Sequence, residues 1–318
     1  MRLGFIGDIL RWALDLIYSL VGNYGWAVLI FTLLIRLLLM PLDIKSRRSM
    51  KAMQNVQPKI DELNKKYAND KDKLNQKMAD LYKKEKINPL SGCLPMLIQL
   101  PILFAMFAVM REVANEETIQ MILDIKQNIL AGVENYQPKL QSLLWIKNVF
   151  QPDSFMSTVV PAVGSTLSEI TKASGQVTME MIEEAKAFLQ TNEYSVWAEN
   201  YGNAVAYSAP LLMWTISIPK KFNGLFILPI LSGVSQYLTT KFMNAGQQST
   251  NAQQNANSKF MQWFFPLFSL WICASSNAAF ALYWVFINVF QIVQQFIIGK
   301  LIDRSDNNKK LIEEASTK

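Results

Sequence analysis

The stretch Gly25-Trp26-Ala27-Val28-Leu29-Ile30-Phe31-Thr32-Leu33-Leu34-Ile35-Arg36-Leu37-Leu38-Leu39-Met40-Pro41-Leu42 decides the fold class. Apart from Thr32 and Arg36, every residue in it is apolar. At about 1.5 Å per helical residue it comes close to the ~30 Å hydrocarbon thickness of a bilayer. Four more runs of this kind follow, at residues 94–110, 222–243, 260–274 and 278–298, and Ser275, Ser276 and Asn277 leave room for a tight turn between the last two. A large soluble helical protein would not need so many long apolar runs. The expected fold class is an all-α membrane protein with five transmembrane helices.

Composition agrees. Of 318 residues, 51% are hydrophobic and only 18% charged, where soluble domains carry roughly a quarter charged. The chain has no histidine, which removes imidazole bases, Ser-His-Asp and Cys-His arrangements and His-ligated metals. Cys93 and Cys273 lie far apart inside apolar stretches and form neither a disulfide framework nor a Cys-rich metal site. No cofactor or metal is expected.

The parts divide as follows: 1–23 an N-terminal amphipathic helix on the membrane surface; 24–42 the first span; 43–88 a cytoplasmic helical hairpin; 89–111 the second span; 112–221 an external loop; 222–243 the third span; 244–259 a Gln/Asn/Ser-rich cytoplasmic loop; 260–275 and 278–299 the last two spans; 300–318 a cytoplasmic tail. In the first part, Ile6, Ile9, Leu10, Ala13, Leu16, Ile17 and Leu20 fall at helical spacing, while Asp8, Arg11 and Asp15 occupy another face. These charges, and the lack of a small-residue cleavage site, argue against a cleavable signal peptide. In the hairpin, helices of about 43–57 and 59–86 with a bend near 67–72 are expected, with Ile60, Leu63, Tyr67, Leu74, Met78, Leu81 and Tyr82 forming one apolar stripe. Residues 205–219, interrupted by Pro210 and Pro219, read as an interfacial or re-entrant segment.

Charge orients the chain. Residues 43–88 hold 13 Lys/Arg against 7 Asp/Glu, and residues 112–222 hold 7 Lys against 12 acids. Basic residues beside span ends mark the cytoplasmic side, so the N-terminus is expected outside and the C-terminus in the cytoplasm.

Arg36 is the residue on which function turns. A cation within a span costs roughly 2.5–3.5 kcal/mol on insertion scales, so it needs water or partners. Two readings stand. Arg36 snorkels to the nearby interface, or it faces a hydrated cavity in the bundle with Thr32 one turn away. Gln99, Ser232, Ser235, Gln236, Asn288, Gln291, Gln294 and Gln295 supply further polar groups from other spans. Each alone is more often interhelical hydrogen-bonding glue; together they suggest a hydrophilic groove. No acid lies within the five spans, so the counter-charge of Arg36 is expected from a ligand or partner.

The run Asn88-Pro89-Leu90-Ser91-Gly92-Cys93-Leu94-Pro95-Met96-Leu97-Ile98-Gln99-Leu100-Pro101-Ile102 closely resembles the second-span signature of the YidC/Oxa/Alb insertase family. Tyr24-Gly25-Trp26 through Thr32, Arg36 and Pro41-Leu42 resembles its first span, including the groove arginine. Gln57-Pro58-Lys59-Ile60 and Leu81-Tyr82-Lys83-Lys84 resemble its cytoplasmic hairpin, and Leu144-Trp145-Ile146 with Gln151-Pro152-Asp153 its external approach to the third span. Phe265-Pro266 and Leu282-Tyr283-Trp284, with Asn288 and Gln294, match its last two spans. The likeness omits about 160–205, an acidic and polar insertion. Asn277-Ala278-Ala279-Phe280-Ala281 stands where the family usually has Pro-Ala-Gly before Leu-Tyr-Trp, and the lipoprotein cysteine of many Gram-positive members is not seen near Met1.

The resemblance implies a bacterial plasma-membrane insertase and chaperone, not an enzyme, whose groove comprises Arg36, Thr32, Gln99, Gln236, Trp284, Asn288 and Gln294. The implied partners are nascent membrane proteins, the ribosome and the lipid bilayer, with or without the Sec translocon, and without sequence-specific nucleic-acid binding. The alternative class is a channel or secondary transporter with Arg36 as an anion site. Five spans do not divide into two equal repeats, which argues against it. The insertion near 160–205 is expected to be dispensable for insertion.

Overall fold

The computed structural model describes residues 4–85, 87, 94–133, 136–162, 170, 173–203, 207–211, 214–218, 221–244 and 252–316. Residues 88–93 of the second-span signature, part of the 160–205 insertion and residues 245–251 of the Gln/Asn/Ser-rich loop lie outside them. The elements run α1 (Gly4–Val21), α2 (Tyr24–Lys66), α3 (Lys71–Lys84), α4 (Leu94–Leu130), α5 (Met179–Phe188), α6 (Asn192–Asn203), β1 (Tyr207–Leu211), β2 (Trp214–Ile218), α7 (Ile227–Asn244), α8 (Ala252–Ser275) and α9 (Ala278–Ser316). The fold is dominated by helices, but the all-α expectation needs one correction. β1 and β2 pair antiparallel from Tyr207↔Ile218 to Leu211↔Trp214, within the segment expected to be interfacial or re-entrant. The alternation Trp214-Thr215-Ile216-Ser217-Ile218 has the period of two that a strand requires, in residue types that favour strands.

Two compact units make up the chain. The first comprises Met1–Thr32, Leu103–Ser232 and Phe268–Val285; the second comprises Leu33–Ile102, Gly233–Leu267 and Phe286–Lys318.

In the first unit, α1 turns Gly7, Leu10 and Leu14 inward and leaves Phe5, Ile9, Trp12, Leu16 and Leu20 exposed. Its charged edge is not left to water. Arg11 Nη2 donates to Glu116 Oε2 at 2.7 Å and Arg11 Nε to Asp15 Oδ2 at 2.7 Å. Burial pushes the Glu117 carboxyl above its ordinary range, and neighbouring Glu116 adds to the rise while Arg11 opposes it. Glu116 and Glu117 stand on α4 because that helix continues to Leu130, well past the expected end of the second span.

The extended α4 seeds a core. Ile119, Ile122 and Ile125 are fully buried against Val159, Val160, Val177, Ile182, Ala185, Phe188 and the aromatic series Tyr194, Trp197 and Tyr201. Trp197 stacks on Tyr201 at 5.3 Å between ring centroids, and Phe188 meets Tyr194 edge-on at 5.5 Å. The described part of the 160–205 insertion is therefore a folded portion of the first unit, with α5 capped by Thr178, whose side chain accepts from the Met181 N–H.

Two buried side chains fix how α7 begins. Asp153, fully buried, accepts from the backbone N–H groups of Leu225 (2.9 Å), Phe226 (3.3 Å) and Leu228 (2.7 Å), and from the Trp145 indole at 3.1 Å. Asn223 donates to the carbonyls of Asn148, Gln151 and Pro152 and accepts from the Asn148 N–H. The carboxylate thus satisfies helix-start N–H groups that have no partner within the helix. At α9, Asn277 Oδ1 accepts from the Phe280 N–H at 2.9 Å, and the N–H groups of Ala278 and Ala279 donate to the carbonyls of Gln151 and Val149. An asparagine side chain therefore caps the start of α9.

In the second unit, α2 runs unbroken through Pro41 and Pro58 to Lys66, so the expected break beside Pro58 is absent. A proline removes one helix hydrogen bond, and Lys59, Ile60, Glu62 and Leu63 directly after it carry the helix onward. The turn falls at residues 67–70, within the bend expected near 67–72, and Asp70 caps α3 by accepting from the Lys73 N–H at 3.1 Å. Val56 and Ile60 of α2 are buried, whereas α3 has no buried residue.

Candidate functional site: a buried arginine network

Within the second unit, α2 and α9 bring Arg36 into a polar network. The side chain is 5% exposed. Its Nη2 donates to Gln291 Oε1 at 3.1 Å, and its Nη1 stands 3.9 Å from Asp43 Oδ2. Gln294 Nε2 donates to the same Asp43 oxygen at 3.0 Å. A small cavity of about 30 Å³ beside this network is lined by Asp43, Ser46, Arg47, Met50, Gln291, Gln294, Gln295 and Ile298. That volume holds roughly one water-sized sphere.

One expectation is overturned here. A counter-charge for Arg36 was expected only from outside the chain, yet Asp43 provides one. It lies one residue beyond the expected end of the first span and seven residues after Arg36, a spacing that returns to the same helix face. The helical spacing was the available signal, although Asp43 itself lies just outside the apolar run.

A second polar cluster joins α7 to α9. Asn288 Nδ2 donates to Ser235 Oγ at 3.3 Å and to Gln236 Oε1 at 3.1 Å, and Gln236 Nε2 reaches Thr240 Oγ1 at 3.5 Å. Asn288, Gln291 and Gln294 recur every three residues, so α9 presents both clusters from one stripe. Gln99, also in this unit, is half-buried on α4. Arg36, Gln236, Asn288 and Gln294 thus all take part in the two clusters.

The remaining expected groove residues, Thr32 and Trp284, belong to the first unit. Thr32 is buried and its hydroxyl donates to the Val28 carbonyl at 2.7 Å, the usual way a threonine satisfies itself in an apolar helix. Trp284 is buried against Phe280, 5.6 Å between centroids, and Phe268 at 6.5 Å. Its indole N–H is buried with no hydrogen-bond partner among the described residues.

The outer faces are apolar. Leu34, Leu37 and Leu38 on α2, Ile230, Val234 and Leu238 on α7, Trp263, Leu267 and Trp271 on α8, and Val293, Phe296 and Ile297 on α9 are all exposed. Apolar surface on this scale is foreign to a water-facing monomer. Among the described residues, the helices Tyr24–Lys66 and Ala278–Ile302 are long and apolar enough to cross a membrane, and Phe260–Ser275 is a shorter apolar helix.

Comparison with known proteins places this arrangement. The sequence model of the 60Kd inner membrane protein family matches residues 16–306. A protein of Treponema denticola named membrane protein insertase YidC is 30% identical over 294 residues, covering 92% of this chain and 37% of that protein. A protein of the same name from Francisella philomiragia is 28% identical over 298 residues, covering 94% and 36%. In Thioalkalivibrio sulfidiphilus the identity rises to 49% over 110 residues, 35% of this chain. A solved structure described as an active YidC insertase with its first transmembrane domain resolved aligns at a TM-score of 0.43 and 19% identity, over 92% of this chain and 46% of that one. The chain spans little more than a third of the length of the full-length relatives it matches along nearly all of its own. With its matched region running almost end to end, the chain belongs to the 60Kd inner membrane protein family, the family of the YidC insertases.

Proposed function

We propose that this chain is a membrane protein insertase and chaperone that helps nascent membrane proteins enter and fold in the lipid bilayer, alone or with the Sec translocon. The observation that carries the reading is the Arg36 network: a cation and a run of amides held among helices whose outer faces are apolar. Moving the polar flank of a client across hydrocarbon exposes groups that find no partner there. A polar path containing Arg36, Gln99, Gln236, Asn288 and Gln294 would shorten that crossing and attract acidic groups in a short client tail. The apolar segment of the client would leave into lipid along the outer faces of α7 and α9. The basic hairpin of α2 and α3 would receive the chain as it leaves the ribosome. The reading includes five spans in the plasma membrane, the N-terminus outside and the C-terminus in the cytoplasm. It includes no covalent chemistry and no sequence-specific nucleic-acid contact.

The test is charge at Arg36. In cells depleted of their own insertase, Arg36→Lys should keep most insertion of a client with a short acidic tail. Arg36→Ala should lose about tenfold or more, and Arg36→Glu more still because like charges then meet. A matched neutral-tail client should change little. Equal insertion of both clients by Arg36→Ala and wild type, at matched protein levels, would defeat the reading. Loss with Arg36→Lys as well would assign the role to the planar guanidinium fork rather than to charge.

A further inference from the structure

Asp43 stands in the geometry of a competitor. Its Oδ2 lies 3.9 Å from Arg36 Nη1, longer than the ~2.7–2.9 Å of a charge-assisted hydrogen bond. The carboxylate therefore neutralises the cation without gripping it. Each partner also has its own anchor. Arg36 donates to Gln291 Oε1 at 3.1 Å, and Asp43 accepts from Gln294 Nε2 at 3.0 Å. Separating them leaves neither side chain without a hydrogen bond. Arg47, one helical turn beyond Asp43, lines the same cavity as Asp43, Gln291 and Gln294, so a released Asp43 has a second cation within its surroundings. Breaking a buried pair is ordinarily costly because one charge is left uncompensated; here Arg47 stands by for Asp43, and an incoming carboxylate would itself compensate Arg36.

Resting on the insertase reading above, we infer that Asp43 is the resident counter-ion of Arg36 and sets client specificity: a carboxylate in the client's translocated tail displaces it from the guanidinium. Clients with acidic tails must win an exchange against a carboxylate tethered on the same helix. Neutral tails make no such exchange. Asp43 is thus a specificity-determining residue, and the threshold for an acidic tail is written into α2 itself.

The experiment uses the full chain in insertase-depleted cells, with paired single-span clients that differ only in two Asp or two Asn residues in a short translocated tail. The inserted fraction is read by protease protection. Asp43→Asn, which keeps an acceptor for Gln294, should raise the acidic-to-neutral insertion ratio about fivefold above wild type, the scale of one exchanged ion pair. Asp43→Glu should hold the wild-type ratio, and Arg36→Ala combined with Asp43→Asn should abolish the rise. A photocrosslinker at Gln295 should capture the acidic tail more strongly in Asp43→Asn. An unchanged ratio, or an equal fall for both clients, overturns the inference; if Arg36→Ala still loses only the acidic client, the groove reading survives that failure. Asp43→Asn protein that fails to accumulate also counts against it, because Gln291 is argued to hold Arg36 without Asp43. Arg36→Ala indistinguishable from wild type would instead remove the insertase reading on which the inference rests.

Discussion

Asp153 shows what one residue does in this chain. Its buried carboxylate gathers three backbone N–H groups at the start of α7 and the Trp145 indole. Gly224 is required beside it, since a Cβ there would lie 1.9 Å from Asp153 Oδ1. Phe226 follows with φ of 63°, a left-handed conformation that a non-glycine residue adopts at a cost. Asp153→Ala would orphan all four donors and should cost about 3–5 kcal/mol, at 1–3 kcal/mol for each buried unsatisfied group with partial relaxation. Thermal unfolding of the protein in detergent should show a large drop in Tm; a Tm within a degree or two of wild type would mean the donors find other partners. The Gln151-Pro152-Asp153 motif was visible in the sequence, but the three backbone donors it serves lie some 70 residues away. The partnership of Arg36 with Asp43 was closer to hand, because the two share one helix face.

At the scale of elements, continuity is the main finding. Helices α2, α4 and α9 run beyond the lengths of apolar span that can be read from composition, because hydrocarbon thickness limits apolar runs but not helices. The extension of α4 matters most: Ile119, Ile122 and Ile125 give the external segment a core that its acidic, polar composition conceals. Removing about 160–205 would uncover those three isoleucines and should cost the first unit stability, a separate matter from the expectation that insertion itself does without the segment. Ile182, fully buried in this core, offers a milder test. Ile182→Ala should destabilise the first unit by about 2–5 kcal/mol, the usual cost of a large-to-small core change. The protein should melt earlier in detergent yet insert clients normally at low growth temperature. Wild-type Tm would show that α5 contributes nothing to the core. The α3 arm is the opposite case: with no buried residue, it is held by the half-buried stripe Leu74, Met78, Leu81 and Tyr82 and by the exposed Lys59–Glu85 pair at 2.7 Å, and exposed pairs of this kind add little. The apolar stripe was legible as helical spacing; its shallow burial was not.

For the whole molecule, the apolar outer faces of α2, α7, α8 and α9 invert the usual arrangement of a protein in water. Together with family membership they make the chain membrane-integral. Charge bias leads us to expect the basic hairpin at 43–88 and the acidic segment at 112–222 on opposite sides of the bilayer. Single cysteines replacing Lys66 and Lys309 should react with a membrane-impermeant maleimide only from the cytoplasmic face, and one replacing Glu184 only from the outside. Labelling of the Lys66 position from outside intact cells would overturn the orientation.

By itself the sequence determined the class of protein, because apolar length, charge asymmetry and missing histidines are properties of composition and order along the chain. It also singled out Arg36, since a cation in an apolar run stands out without coordinates. It marked Gln236, Asn288 and Gln294 as polar groups in apolar runs, though not what each would touch. Only the tertiary structure decided that Asp43 is the counter-ion of Arg36, that Thr32 satisfies itself on Val28, and that Trp284 packs among Phe268 and Phe280. The β1–β2 hairpin and the buried core of the external segment were likewise settled by packing. The physical reason is the same in each case: partition into lipid depends on summed apolar length, which is additive along the chain. Which polar group meets which depends on directional contacts a few ångströms long between residues far apart in sequence.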